Sequence, residues 1–180
     1  EVANCRTHRY NWLPDGSLLL SNEGEGSIRI DRKGSIERFP FGWNGSLHTD
    51  QSGKTGFTYS QEIVDIENQQ IGRKIQLPAI SSEFSLAPSG RFIGFSALNG
   101  TLGVFDLKSN KVVSTPLQRG SSMREKILFS KNENSVAFLG THQNTIAVLS
   151  TDPRHPRVYQ QLSLGQGVYC DYYSDEKGIC

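Results

Sequence analysis

Four histidines are the side chains best suited to bind a metal or to transfer a proton near neutral pH. They are His8, His48, His142 and His155. None has the short spacing of a metal site to another histidine or to a cysteine. His48 is the best candidate because it falls in a short extended run that precedes a turn, but an ordinary hydrogen-bonded histidine is the alternative. No metal and no cofactor are predicted.

Ser52-Gly53-Lys54-Thr55 resembles the end of a phosphate-binding loop. That motif requires a glycine five residues before Gly53, where this chain has His48. The segment also lies between two strand-like runs and does not open a helix, whose N-terminus would supply donors to a phosphate. The sequence has no Gly-x-Ser-x-Gly nucleophile elbow either. These motifs therefore predict no catalytic residues and no nucleotide site.

Aspartates recur near the end of the third extended run of each repeat: Asp31, Asp65, Asp106 and, less regularly, Asp152. A short carboxylate at such a place commonly accepts backbone N–H groups of the following turn. A catalytic role is the alternative, but a turn role explains why the residue recurs. We therefore predict that these carboxylates organise turns.

The elements that position these residues repeat along the chain. A turn signature returns at Pro14-Asp15-Gly16, Asp50-Gln51-Ser52-Gly53, Pro88-Ser89-Gly90, Lys131-Asn132-Glu133-Asn134 and Ser174-Asp175-Glu176-Lys177-Gly178. From Gly16 the spacing is 37 residues twice and then 44 residues twice. Repeats of this length that begin with strand, turn and strand predict radially arranged blades.

The third repeat shows four strands. Residues 83–87 alternate polar and apolar side chains, residues 92–97 form a second run, and Asn99-Gly100 is a strong hairpin signal. Residues 101–107 and 111–115 complete the repeat, and Pro116 ends the last strand or lies at an unpaired edge. No segment has the apolar period of an amphipathic helix, so essentially no α-helix is expected.

Composition limits the classes of partner. The 180 residues carry 19 Lys plus Arg against 18 Asp plus Glu, a net charge of +1, and the basic residues form no cluster typical of a nucleic-acid binder. No apolar run is long enough to insert into a membrane. A disulfide between Cys170 and Cys180 would indicate an extracytoplasmic protein, whereas buried free thiols, the favoured alternative, fit an intracellular one.

Two segments of the third repeat resemble the WD-repeat and YVTN-type β-propeller superfamily. Residues 86–93 (LAPSGRFI) are similar to its strand-turn-strand element, and residues 100–107 (GTLGVFDL) are similar to its third strand, with Phe105-Asp106 where Trp-Asp would stand. No repeat has the Gly-His pair or the Trp-Asp dipeptide of true WD repeats. The resemblance implies a β-propeller of the broad class.

The predicted fold is therefore all-β: a β-propeller of four-stranded antiparallel blades in a single partial domain over residues 1–180. The blades are expected at about residues 8–39, 40–78, 79–118 and 119–164, with the start of a fifth at 165–180. Both ends would then supply the same inner strand and could not complete each other. An incomplete ring is expected, whose other blades lie in further sequence or in another chain.

The expected function is a non-catalytic protein–protein interaction scaffold that binds other proteins through its blade loops. Those partners include the rest of its own propeller or a larger complex, and exclude nucleic acid. The candidate contact residues are Trp12, Trp43, Arg119, Arg124 and Tyr172. The alternative for the aromatic residues is that their rings fill the wedges between blades. The alternative for the arginines is that they are solvated charges on loops, with no partner to bind.

Two other functions remain open from the sequence. One is the propeller domain of an enzyme, lactonase-like, hydrolase-like or gating a peptidase, with His48, Asp50 and Glu83 as its polar residues. The other is the extracytoplasmic sensor domain of a membrane protein.

Overall fold

The computed structural model describes residues 7–22, 26–39, 47–77, 81–116, 125–140, 145–152, 154 and 158–163. Over these ranges the chain forms strands and turns, with no helix. The sixteen strands are β1 (Thr7–Trp12), β2 (Leu18–Asn22), β3 (Gly26–Ile30), β4 (Ile36–Phe39), β5 (Leu47–Thr49), β6 (Thr55–Thr58), β7 (Glu62–Asp65), β8 (Gln70–Lys74), β9 (Ser81–Leu86), β10 (Phe92–Ala97), β11 (Thr101–Asp106), β12 (Lys111–Pro116), β13 (Glu125–Phe129), β14 (Ser135–Gly140), β15 (Thr145–Ser150) and β16 (Val158–Ser163).

These strands form four four-stranded sheets, each in simple sequence order: β1–β4, β5–β8, β9–β12 and β13–β16. The strand pairs are antiparallel and joined by short turns, as in up-and-down meanders. The four sheets are the blades of a β-propeller, and the predicted fold class is confirmed. The start of a fifth blade, predicted at 165–180, lies outside the described residues.

The turns follow the sequence signals. Gly16, Gly53, Gly90 and Gly100 have left-handed φ angles of 77°, 72°, 73° and 81°, a conformation that glycine adopts without a Cβ penalty. Asn99 accepts a hydrogen bond from the Thr101 amide at 3.1 Å, and the Gly100 amide donates to Ala97 O at 2.9 Å. The predicted Asn-Gly hairpin between β10 and β11 is therefore confirmed.

The chain divides into two compact units, and the first comprises residues 1–78 and 85–92. Its core is a cluster of buried side chains from the first two blades: Leu13, Leu19, Phe39, Leu47, Val64 and Ile66. A Cβ on Gly56 would approach Leu47 Cδ1 to 2.6 Å and Val64 Cγ2 to 2.8 Å. Glycine is thus required at this point of β6 because neighbouring side chains fill its space.

The second unit comprises residues 79–84 and 93–180. Phe138, Val136 and Leu149 of the fourth blade are at most 1% exposed and form part of its core. Gly94 of β10 lies against this blade, since a Cβ there would come within 2.7 Å of Ile127 Cγ2 and 3.3 Å of Val136 Cγ2. The third and fourth blades therefore pack at a glycine.

Over the described part of the chain, there is no helix long and apolar enough to span a membrane.

Candidate functional site

The front face of a blade is here the side of its sheet that carries the last side chain of the first strand. In the first blade that side chain is Trp12, which pairs with Leu18, and Tyr10 two residues earlier pairs with Leu20. Because side chains alternate along a strand, these residues share one side of the sheet. The register extends the front face to Ile28, Ile30, Ile36 and Arg38.

The front face of the first blade is apolar and open to solvent. Trp12 is 70% exposed, Tyr10 is 69% exposed and Ile36 is 59% exposed, while the leucines and isoleucines between them are half-buried. Both assignments of Trp12, a contact with a partner and a ring that fills a wedge between blades, stay predictions. Exposed aromatic rings on a rigid strand are typical of protein-binding surfaces, since they bury large areas at low entropic cost.

The opposite side of the same sheet, its back face, contacts the second blade. Leu19 and Phe39 lie in the buried cluster with Leu47 and Val64. Asn11 donates from Nδ2 to the Leu47 carbonyl at 3.2 Å. The first blade thus has one covered face and one open apolar face.

Of the five predicted contact residues, Trp12 alone falls in the described part of the chain. Trp43, Arg119, Arg124 and Tyr172 lie outside it, and their role stays a prediction, as does any bridge between Cys170 and Cys180. Tyr10 was missed by the sequence reasoning. Its spacing of two from Trp12 on one strand was the signal that could have identified it.

The recurring aspartates have the predicted turn role. The carboxylate of Asp31 accepts the Lys33 and Ser35 amides, both at 2.8 Å. Asp65 accepts the Asn68 amide at 2.9 Å, and Asp152 accepts the Arg154 amide at 2.9 Å. The hydrogen bond from the Ser35 amide is the largest cause that lowers the pKa of Asp31. The hydrogen bond from the Asn68 amide has the same effect on the pKa of Asp65.

Asp106 is the member of this series that is buried. It ends β11 with 1% of its surface exposed, and its carboxylate accepts the Lys108 amide and the Ser109 hydroxyl, each at 2.9 Å. A buried carboxylate costs free energy unless hydrogen bonds replace its hydration. Its turn provides those bonds, so Asp106 holds the end of the third blade's third strand.

A polar cluster of a different kind lies at the first turn of the first blade. Asp15 accepts the Ser17 hydroxyl at 2.6 Å and the Ser17 amide at 2.9 Å, and it pairs with the Arg29 guanidinium. These hydrogen bonds, the Ser17 hydroxyl first, lower the pKa of Asp15 to about 2. Arg29 also lies 3.8 Å from Glu37, so the cluster links the first turn to β3 and β4.

The segment that resembled a phosphate loop is a strand-to-strand turn, as predicted. Asp50 accepts the Lys54 amide at 3.1 Å and the Ser52 hydroxyl at 2.8 Å. The donors that a phosphate loop would offer are thus directed at the chain's own carboxylate. The Gln51 amide donates to Pro88 O at 2.7 Å, which joins this turn to the equivalent turn of the third blade.

The residues considered for an enzyme are placed as follows. His48 lies half-buried in β5, where it pairs with Phe57, and Asp50 begins the turn just described. Glu83 is half-buried in β9. Among the residues that the structure describes, no three His, Cys, Asp or Glu side chains form a group able to hold a metal ion.

Comparisons with known proteins support the fold. No protein-family model and no curated protein matches the chain. The structure is similar to a solved structure described as Kuenenia stuttgartiensis hydrazine synthase, with a TM-score of 0.67 and 16% sequence identity, over 90% of this chain and 50% of that one. The chain therefore spans about half the length of that structure. At this identity the similarity shows the β-propeller fold alone.

Proposed function

We propose that this propeller is a non-catalytic protein–protein interaction scaffold of the WD-repeat-like kind. The observation that carries the proposal is the open front face of the first blade, with Trp12 70% exposed on a strand that the sheet holds rigid. Phe105 and Asp106 stand where a WD repeat has Trp-Asp, and the bonds of Asp106 to its turn support the subtype.

The carboxylates support a structural scaffold in a second way. Asp31, Asp50, Asp65 and Asp106 each direct their oxygens at amides or hydroxyls of their own turns. A carboxylate that accepts hydrogen bonds from its own turn organises that turn, which supports a structural role for these residues. The exposed rings and the predicted loop arginines remain as the groups that can contact a partner.

Affinity purification of the tagged protein from its native cells, with cross-linking mass spectrometry, tests this function. We expect a stoichiometric partner other than the chain itself, cross-linked close to Trp12 or to Arg119 and Arg124. Trp12→Ser and the double variant Arg119→Ala/Arg124→Ala should each reduce its recovery several-fold. Ile71→Ser, which removes an apolar side chain that is 52% exposed on β8, is the matched control and should retain the partner.

Recovery of the wild-type protein only as an isolated chain would contradict the scaffold function. Equal loss of the partner in the Ile71→Ser control would contradict the assignment of the contact residues.

A further inference from the structure

The hairpin between β10 and β11 carries an asparagine followed by a glycine in its turn, residues 98–100. Asn99 is exposed, and Leu98 beside it is 53% exposed. The strands on either side are covered: all six residues of β10 are buried, as are the last five of β11. Water therefore reaches the turn although the strands that it joins belong to the core.

An asparagine followed by a glycine can react with its own main chain. The nitrogen of Gly100, once it has lost its proton to a base, forms a bond to Cγ of Asn99. The bond from Cγ to Nδ2 then breaks, and Nδ2 takes up a proton and leaves as ammonia, so that a cyclic imide remains. Water opens the imide at either carbonyl, which gives aspartate or isoaspartate. The net reaction consumes water, releases ammonia and changes no oxidation state, and glycine favours it because no Cβ hinders the attacking nitrogen.

The closed turn holds both reacting groups away from this reaction. The Gly100 amide donates to Ala97 O at 2.9 Å, and Oδ1 of Asn99 accepts the Thr101 amide at 3.1 Å. A hydrogen bond from the Gly100 N–H stabilises the protonated nitrogen, so the proton is harder to remove. The carboxamide must also leave the Thr101 amide to reach the nitrogen. Both hydrogen bonds therefore have to break before the attack.

These two bonds can break without loss of the blade. They lie in a three-residue loop at the exposed end of the hairpin, and the buried strands need not separate when it opens. Local opening of such a loop costs far less than unfolding of the whole domain. The net contribution of two ordinary hydrogen bonds corresponds to a reaction that is about 10- to 100-fold slower than in the unfolded chain.

We propose that Asn99 is a site of spontaneous deamidation, and that local opening of the β10–β11 turn sets its rate. Each event replaces a neutral amide by a carboxylate, which takes the net charge of these 180 residues from +1 to 0. An aspartate at this position keeps an oxygen acceptor for the Thr101 amide. An isoaspartate instead adds a carbon to the main chain of the short loop, so it should lower Tm while the aspartate product does not.

The chain supplies its own reference sites for the reaction. Asn44-Gly45 is the other Asn-Gly pair of the sequence, and Asn110 is followed by Lys111. In concentrated urea, where local structure is lost, Asn44 and Asn99 should react at the same rate. Asn110 should react more slowly there, because the side chain of Lys111 hinders the nitrogen.

Incubation of the purified chain at mildly alkaline pH, with and without urea, tests the proposal. Peptide mapping with electron-transfer dissociation identifies the products, since it distinguishes aspartate from isoaspartate. In the folded protein we expect Asn99 to give both products, about 10- to 100-fold more slowly than in urea. Asn99→Gln is the matched control: it keeps a carboxamide but would have to close a larger ring, so this position should stay unchanged. Gly100→Ala, measured in urea so that folding does not matter, should slow the reaction at Asn99.

A second variant separates local opening from unfolding of the whole chain. Asp106 lies at the other end of β11 from the turn, and Asp106→Ala lowers the stability of the blade without changing the reacting groups. If the attack required global unfolding, this loss of stability would raise the rate at Asn99 about 30-fold. Local opening predicts the wild-type rate.

Several results overturn the proposal. A folded rate equal to the rate in urea would show that the turn has no control. A folded Asn99 that is intact after about a hundred half-lives of the urea reaction would show that the turn does not open to attack. Aspartate as the sole product would exclude the imide, and a 30-fold rise in Asp106→Ala would exclude local opening.

Discussion

Replacement of Asp106 by alanine should destabilise the protein through the turn that follows β11. Its carboxylate is 1% exposed and accepts two hydrogen bonds of 2.9 Å, from the Lys108 amide and the Ser109 hydroxyl. A hydrogen bond to a charged group contributes about 1.5–3 kcal/mol. Both donors lie in a turn where water can replace part of that energy, so the expected loss is about 2 kcal/mol rather than the full sum.

For a domain of this size, about 2 kcal/mol corresponds to a fall in Tm of roughly 4–8 °C. Asp106→Asn keeps one acceptor oxygen and should lose about half as much. Asp31 provides the matched control because it makes the same kind of turn in the exposed part of the first blade. Asp31→Ala should lower Tm by less than Asp106→Ala.

Thermal and urea unfolding followed by circular dichroism measures these changes. An unchanged or raised Tm for Asp106→Ala would refute the turn role. A rise in particular is typical of residues retained for activity at the expense of stability, and it would favour a functional carboxylate. A larger fall in Tm for Asp31→Ala than for Asp106→Ala would show that burial of the carboxylate does not set the size of the loss in stability.

Two further predictions concern a blade contact and a turn charge. Gly94→Ala should cost about 1–2 kcal/mol, the overpacking penalty less the gain from a stiffer unfolded chain, because its Cβ would lie 2.7 Å from Ile127 Cγ2. In the Ile127→Ala background the same change should cost almost nothing, and urea unfolding that shows no such coupling would contradict the packing. Folding lowers the pKa of Asp15 from 3.8 to about 2, and the hydrogen bond from the Ser17 hydroxyl is the largest cause. The ionised Asp15 therefore stabilises the folded protein above about pH 4, and this contribution is lost as the pH falls towards 2. A fall in pKa of this size corresponds to an upper bound of about 2.5 kcal/mol, and a side chain that is 51% exposed retains less than about 1 kcal/mol of it because solvent screens the charge. If the stability difference between wild type and Asp15→Asn does not shrink from pH 5 to pH 2, the assignment is contradicted.

Much of the fold could be predicted because each repeat carries its own local signals. Asn99-Gly100 specifies a hairpin whatever surrounds it, since it provides a left-handed position and a side-chain acceptor. The turn role of Asp31, Asp65 and Asp106 was predictable for the same reason, because the acceptor and its amide donors are two to four residues apart.

Other local features carried no sequence signal. Gln61, Gln69 and Glu133 adopt left-handed φ angles of 63°, 54° and 56° although none is glycine or asparagine. Gln61 is held there by longer-range bonds: its carbonyl accepts the Ile75 amide at 2.7 Å, and its Oε1 accepts the Leu77 amide at 3.0 Å. The partners are 14 and 16 residues away, so the preference of the residue itself does not decide its conformation.

The exposure of Trp12 could not be predicted from its own repeat, because a side chain on the face of a blade is buried only where another blade packs against that face. Alternation along β1 places Trp12 and Tyr10 on one side of the sheet, but it does not say whether another sheet lies there. At the equivalent position of the fourth blade, Ile127 is buried because Gly94 lets the third blade approach closely. The size of a side chain on a front face is therefore matched to a residue in a different repeat. A bulky pair such as Tyr10 and Trp12 thus carries information about any sheet that packs on it, because close packing requires small residues opposite bulky ones.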